Sequence, residues 1–128
     1  LLNQLDWQTF VKQKKLLVGF SDITYFHMLL NMQYGIPSIH GQMPAVISKP
    51  VNSPSNETLK ELLFENKSDF SLPPEKFNNS GKVEGKLLGG NLAIICASLG
   101  FSYIDFSDSI LFLEEVGEEL FRLDRMLQ

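Results

Sequence analysis

Gly19-Phe20-Ser21-Asp22-Ile23 sets a serine at the point where the apolar run at 16–20 halts and a helical pattern begins. A strand, a tight turn and a helix in that order lift a hydroxyl out at the end of a strand and beside a helix N-terminus, where open α/β sheets carry their chemistry. In that arrangement Gly19 permits the close turn, Ser21 attacks a carbonyl carbon, and the backbone N–H of Asp22 helps hold the developing oxyanion. The second glycine that the G-x-S-x-G pattern would put at position 23 is missing. On the pattern alone a helix cap is the plainer reading, with Ser21 or Asp22 accepting a hydrogen bond from an N–H two or three residues on.

A serine nucleophile needs a base, usually a histidine, and that histidine needs an orienting acceptor. The chain offers His27 and His40. His27 follows Ser21 by nearly two helical turns, so its imidazole is expected to point away from the hydroxyl, whereas His40 on the next extended segment could come closer. Both read more simply as structural residues. Glu114 and Glu115 follow a buried-looking strand, and either could be presented as the orienter; paired acids on a solvated turn are the plainer alternative. Gly89-Gly90-Asn91 could offer N–H groups to an anion, but the G-x-G-x-x-G fingerprint is absent and no nucleotide site is inferred. Cys96, the sole cysteine, reads as a small core residue and excludes an internal disulfide.

The elements that must position these residues follow from apolar periodicity. Leu5, Trp7, Phe10 and Val11 fit a helix within 4–13, and a polar Lys12-Gln13-Lys14-Lys15 break precedes a strand at 16–20. Ile23, Phe26, Leu29, Leu30 and Tyr34 then recur at helical spacing until Gly35 and Pro37. Ser38-Ile39-His40 is extended and runs into the loop Gly41-Gln42-Met43-Pro44. Ser53 and Pro54 supply an N-cap and a first-turn proline for a short helix carrying Leu59, Leu62 and Leu63. Residues 66–80 turn polar around Pro73-Pro74 and Asn78-Asn79-Ser80, which predicts a linker between a unit at 1–65 and another at 81–128. In the second unit an alternating segment meets Gly89-Gly90 at a tight strand-to-helix corner, and a helix runs to Leu99. A strand at 109–113 ends in the two glutamates, and a last helix starts at Gly117 with Leu120, Leu123, Met126 and Leu127 on one face.

The 128 residues are 44% hydrophobic, enough for a core, and the net charge of −4 contains no basic block. Nucleic acid and anionic membranes are therefore unfavoured partners, and a small or peptidic ligand is expected. No run is long and apolar enough to span a bilayer, and the first residues lack the pattern of a signal peptide. The absence of an initial methionine and the helical pattern still running at Gln128 suggest a piece of a longer protein.

Taken together, three blocks resemble the L,D-carboxypeptidase family, serine peptidases that include muropeptide carboxypeptidases and microcin C7 self-immunity proteins. They are Gly19-Phe20-Ser21-Asp22-Ile23-Thr24 with His27 and Ile39-His40-Gly41-Gln42-Met43; Gly85-Lys86-Leu87-Leu88-Gly89-Gly90-Asn91-Leu92; and Ile110-Leu111-Phe112-Leu113-Glu114-Glu115 with Phe121-Arg122-Leu123-Asp124-Arg125-Met126-Leu127. Gln42 stands where proline is common in the family, Phe101 where threonine is usual and Glu115 where aspartate is frequent. The resemblance implies an α/β fold: the end of an amidotransferase-like (flavodoxin-like) N-terminal domain and the start of a swivelling β/β/α C-terminal domain. It also implies a Ser-Glu-His triad in which Ser21 is the nucleophile and Glu114 the orienting acid, with the Asp22 N–H in the oxyanion hole. The triad histidine falls beyond Gln128, matching neither His27 nor His40, so the 128 residues alone are expected to be inactive. Further implications are release of the terminal D-alanine from a muropeptide tetrapeptide in cytoplasmic cell-wall recycling, no metal or organic cofactor, and a homodimer when full length. The alternatives are a microcin-immunity type of peptidase and a non-catalytic binding module that keeps the scaffold.

Overall fold

A computed structural model of the chain describes residues 4–44, 53–67, 69 and 71–128. Residues 1–3 of the N-terminal pattern, and 68 and 70 of the polar stretch, lie outside the described residues. The first helix, α1 (Trp7–Lys12), starts where the Asp6 carboxylate accepts hydrogen bonds from the Thr9 N–H (3.0 Å) and hydroxyl (2.6 Å). Trp7 leaves its first turn to pack against Phe26, with ring centroids 5.4 Å apart.

Strand β1 (Val18–Gly19) pairs in parallel with β2 (Ile39–His40), Val18 opposite Ile39 and Gly19 opposite His40. Between them a 3-10 turn (Ser21–Ile23) leads into α2 (Thr24–Met28), which continues in π-helical form over Leu29–Gln33. Thr24, His27, Met28, Leu29 and Leu30 are all buried, so this helix is the centre of the core, not a surface element. Helix α3 (Pro54–Phe64) starts as the sequence predicts, with Pro54 in its first turn and the Ser53 hydroxyl accepting from the Asn56 N–H. The described residues of 66–80 contain no helix or strand and are exposed.

The remaining elements form a strand–helix–strand unit followed by a helix. Strands β3 (Lys86–Asn91) and β4 (Ser109–Glu114) are parallel, with Lys86 opposite Ser109 and Asn91 opposite Glu114. They are joined through α4 (Leu92–Ser98), which adds Leu92 and Ile95 to the core. The parallel pairs, each bridged by a helix, establish an α/β architecture. The last helix, α5 (Leu120–Leu127), begins three residues after the expected start, because Gly117 at φ +83° belongs to the preceding turn.

Gly89 and Gly90 depart from their expected place. Strand β3 runs through both, and the corner falls at Asn91, whose side chain accepts from the Ile94 N–H (3.1 Å). The two glycines serve close approach instead. A Cβ on Gly90 would sit 2.7 Å from Thr24 Cγ2 and overlap its hydroxyl, and a Cβ on Gly89 would overlap the Phe112 carbonyl. Strand β3 therefore lies directly against α2. Thr24, fully buried, accepts a hydrogen bond from the Asn91 N–H at 2.9 Å.

Candidate active site

Ser21 occupies the left-handed region at φ +59°. A non-glycine residue there costs about 1–3 kcal/mol and persists only where its surroundings over-determine it; such strain concentrates at functional positions. The helix-cap reading is overturned, since neither the 3-10 turn nor α2 has a side-chain cap. The serine instead stands at the sharp strand-to-helix bend expected of a nucleophile elbow. The missing glycine at position 23 has a steric explanation. Ile23 folds back over Gly19, so that a Cβ at position 19 would lie 2.9 Å from two Ile23 side-chain carbons. One glycine clears the space that two clear in the full pattern. Asp22 follows in the 3-10 turn with its side chain exposed.

The two glutamates at the end of β4 part company. Glu115 faces the start of α4, where its Oε2 accepts from the Ala93 N–H and the Asn91 side-chain amide, both at 3.3 Å, and its Oε1 accepts from the Val116 N–H at 2.9 Å. A carboxylate at a helix N-terminus complements the dipole and the unpaired N–H groups, which is a structural role. Glu114 faces the opposite side of the strand, as alternation requires. Its Oε2 lies 3.9 Å from His40 Nε2 and, although buried, makes no hydrogen bond among the described residues. A carboxylate oxygen in that condition is suited to receive an imidazole N–H.

His27 does not approach the Ser21 hydroxyl. The Gly19 carbonyl can only accept, so His27 Nε2 carries the proton and donates to it at 2.9 Å. Nδ1 then accepts from the Ser38 hydroxyl at 2.7 Å. Asn31 completes the set, donating to Ser38 Oγ (2.9 Å) and to the His27 carbonyl (2.8 Å). His40 packs between the His27 ring (5.7 Å) and the Phe112 ring (5.0 Å), so β2 reaches β4. A cavity of about 100 Å³ opens here, with His27, Asn31, Ser38 and His40 on one side and Leu88 and Phe112 on the other. Among the described residues no cluster of three or more His, Cys, Asp or Glu side chains could hold a metal ion.

Burial lowers the pKa of both histidines. For His27 the bond to Gly19 opposes the shift, and the neighbouring His40 adds to it. A histidine whose folded pKa lies below its unfolded value of 6.5 contributes stability that is complete above that pH and lost as pH falls through the folded pKa. Among the described residues, Glu114 is the acid that comes within ion-pair distance of His40, at 3.9 Å. The melting temperature is therefore expected to fall between pH 7 and 5, and His27→Gln is expected to flatten the fall. A parallel decline in both proteins, measured by thermal melts across that range, would remove His27 as its source.

Thr24, Asn31 and Ser38 carried no signal in the sequence beyond being polar residues among apolar ones, and their roles emerge only from contacts across elements. Residues 1–41 match the model of the LD-carboxypeptidase N-terminal domain, and residues 84–128 match that of the LD-carboxypeptidase C-terminal domain. The chain belongs to the LD-carboxypeptidase family. Within that family it is 32% identical over 128 residues to a probable murein peptide carboxypeptidase of Bacillus subtilis, covering 96% of this chain and 40% of the relative. It is 34% identical over 139 residues to the murein tetrapeptide carboxypeptidase of Pseudomonas aeruginosa, covering 99% and 45%. The crystal structure of muramoyltetrapeptide carboxypeptidase from Oxalobacter formigenes superposes with a TM-score of 0.81 at 32% identity, over 99% of this chain and 44% of that one. The chain thus spans less than half the length of these LD-carboxypeptidases.

Proposed function

We propose that Ser21 and Glu114 are two members of a Ser-Glu-His triad in a serine carboxypeptidase that removes the terminal D-alanine from muropeptide tetrapeptides. The third member comes from beyond Gln128. Ser21 Oγ attacks the carbonyl carbon of the bond to D-alanine, and its proton passes to the histidine. Glu114 holds that imidazole in the productive tautomer and stabilises its charged form. N–H groups around Asp22 receive the oxyanion. Collapse of the tetrahedral intermediate expels the D-alanine amine, which takes the proton from the histidine, and water then hydrolyses the acyl-enzyme. The reading places the enzyme in the cytoplasm, as a homodimer, with domains meeting across the 66–80 segment.

The observation that carries this reading is Ser21 held at φ +59° at the end of β1 with its side chain free of any capping role. The names of the relatives support the substrate class. The decisive experiment incubates the full-length polypeptide with a muropeptide tetrapeptide and measures free D-alanine. Release is expected from the complete enzyme and none from the isolated 128 residues. No release by the complete enzyme would overturn the assignment.

A further inference from the structure

Below the Ser21 bend lies a polar chain that the proposed reaction leaves unused: Asn31, Ser38, His27 and the carbonyl of Gly19. The members are bonded in one direction. Asn31 donates to Ser38 (2.9 Å), the Ser38 hydroxyl donates to His27 Nδ1 (2.7 Å), and His27 Nε2–H donates to the Gly19 carbonyl (2.9 Å). Because Asn31 supplies a donor and a carbonyl can only accept, the histidine has one tautomer available. The Gly19 carbonyl also accepts the Gly41 N–H of the neighbouring segment at 3.0 Å, so both its lone pairs are engaged.

That carbonyl belongs to the peptide that leads into Phe20 and Ser21, and its orientation sets the direction in which the chain enters the bend. Strands β1 and β2 are two residues each, so their ladder alone gives little purchase on it. Ser21 nevertheless holds a left-handed conformation that a serine does not choose by itself. His27 is 5% exposed and lies on the helix that leaves the bend, so it ties the outgoing helix to the incoming strand across the nucleophile.

We propose that His27 is a positioning residue for Ser21: its Nε2–H, fixed in that tautomer by Ser38 and Asn31, clamps the Gly19 carbonyl and holds the serine in the geometry needed for attack. The inference rests on Ser21 being the nucleophile. Its effect falls on the acylation step and not on substrate affinity, because His27 touches neither the hydroxyl nor the outer face of the bend.

The test uses the full-length polypeptide with a muropeptide tetrapeptide. His27→Phe keeps the ring volume and removes the donor, whereas His27→Gln replaces Nε2 with an amide nitrogen at the same reach. His27→Phe is expected to lower kcat by roughly 30- to 100-fold with KM within about twofold, the scale of a nucleophile displaced by about an ångström. His27→Gln is expected to recover most of that loss at a comparable melting temperature. Ser38→Ala, which frees the tautomer without disturbing the core ring, is expected to lower kcat by about 5- to 10-fold; it serves even where His27→Phe does not fold. Equal kcat for His27→Phe and His27→Gln, or an unchanged kcat in Ser38→Ala, overturns the clamp. A Ser21→Ala control separates the two levels. If that variant stays active, the nucleophile assignment fails; if it is inactive while the His27 and Ser38 variants turn over normally, only the clamp fails.

Discussion

Ser21→Ala in the full-length polypeptide is expected to lower kcat by about 10⁴- to 10⁶-fold while leaving KM for the muropeptide within a few-fold. The magnitude follows from the proposed triad acting as a unit: with the attacking oxygen gone, its histidine and Glu114 would have no proton to move. A companion change sharpens the result. Ser21→Gly is expected to be equally inactive yet more stable, by about 1 kcal/mol, because glycine adopts φ +59° without the cost that a side chain incurs. An inactive enzyme with a higher melting temperature is the signature of strain maintained for function. Comparable D-alanine release by the wild type and Ser21→Ala would sink the role of Ser21, and a lower melting temperature for Ser21→Gly would show that the bend is not strained.

The second large effect is structural. Gly90→Ala is expected to destabilise the protein by on the order of 4 kcal/mol, combining a strained backbone at φ +141° with overpacking against Thr24. The new methyl would overlap the Thr24 hydroxyl and lie 2.7 Å from its Cγ2, and Thr24 has nowhere to move because it is fully buried on α2. Separation of β3 from α2 would also break the bond from the Asn91 N–H to Thr24. Asn91 is paired with Glu114 in the ladder, so the displacement reaches the carboxylate proposed to orient the base. Activity should therefore drop more than the folded fraction does. Adding Thr24→Ala removes the obstructing atoms and is expected to restore part of the stability. Chemical denaturation of the single and double variants decides the matter: a Gly90→Ala protein as stable as the wild type would mean that β3 does not dock this closely.

Much of the local structure was legible because it depends on short-range chemistry. Ser53 and Pro54 start α3 for reasons contained in one helical turn. The apolar run at 109–113 marks β4, which continues one residue further to Glu114. Bounds were less legible where a partner decides them. The apolar run at 16–20 narrows to Val18–Gly19 because β2 offers only Ile39–His40 to pair with it. Gly89 and Gly90 read as a corner because glycine so often marks one, whereas their purpose is to let Thr24 and the Phe112 carbonyl come near, contacts made by residues remote in sequence.

The amino-acid sequence by itself determined the order of strand, bend and helix around Ser21, the acid at the end of β4 and the family that joins them. Composition, capping chemistry and motif spacing act locally and can be read in one dimension. Only the tertiary structure decided between the readings left open. It turned Ser21 from a helix cap into a strained residue with a free side chain, assigned Glu115 to the start of α4 and left Glu114 beside His40. It also gave His27 both of its hydrogen bonds. Each of those outcomes depends on groups from separate elements meeting at hydrogen-bond or van der Waals distance, and no local pattern encodes such a meeting.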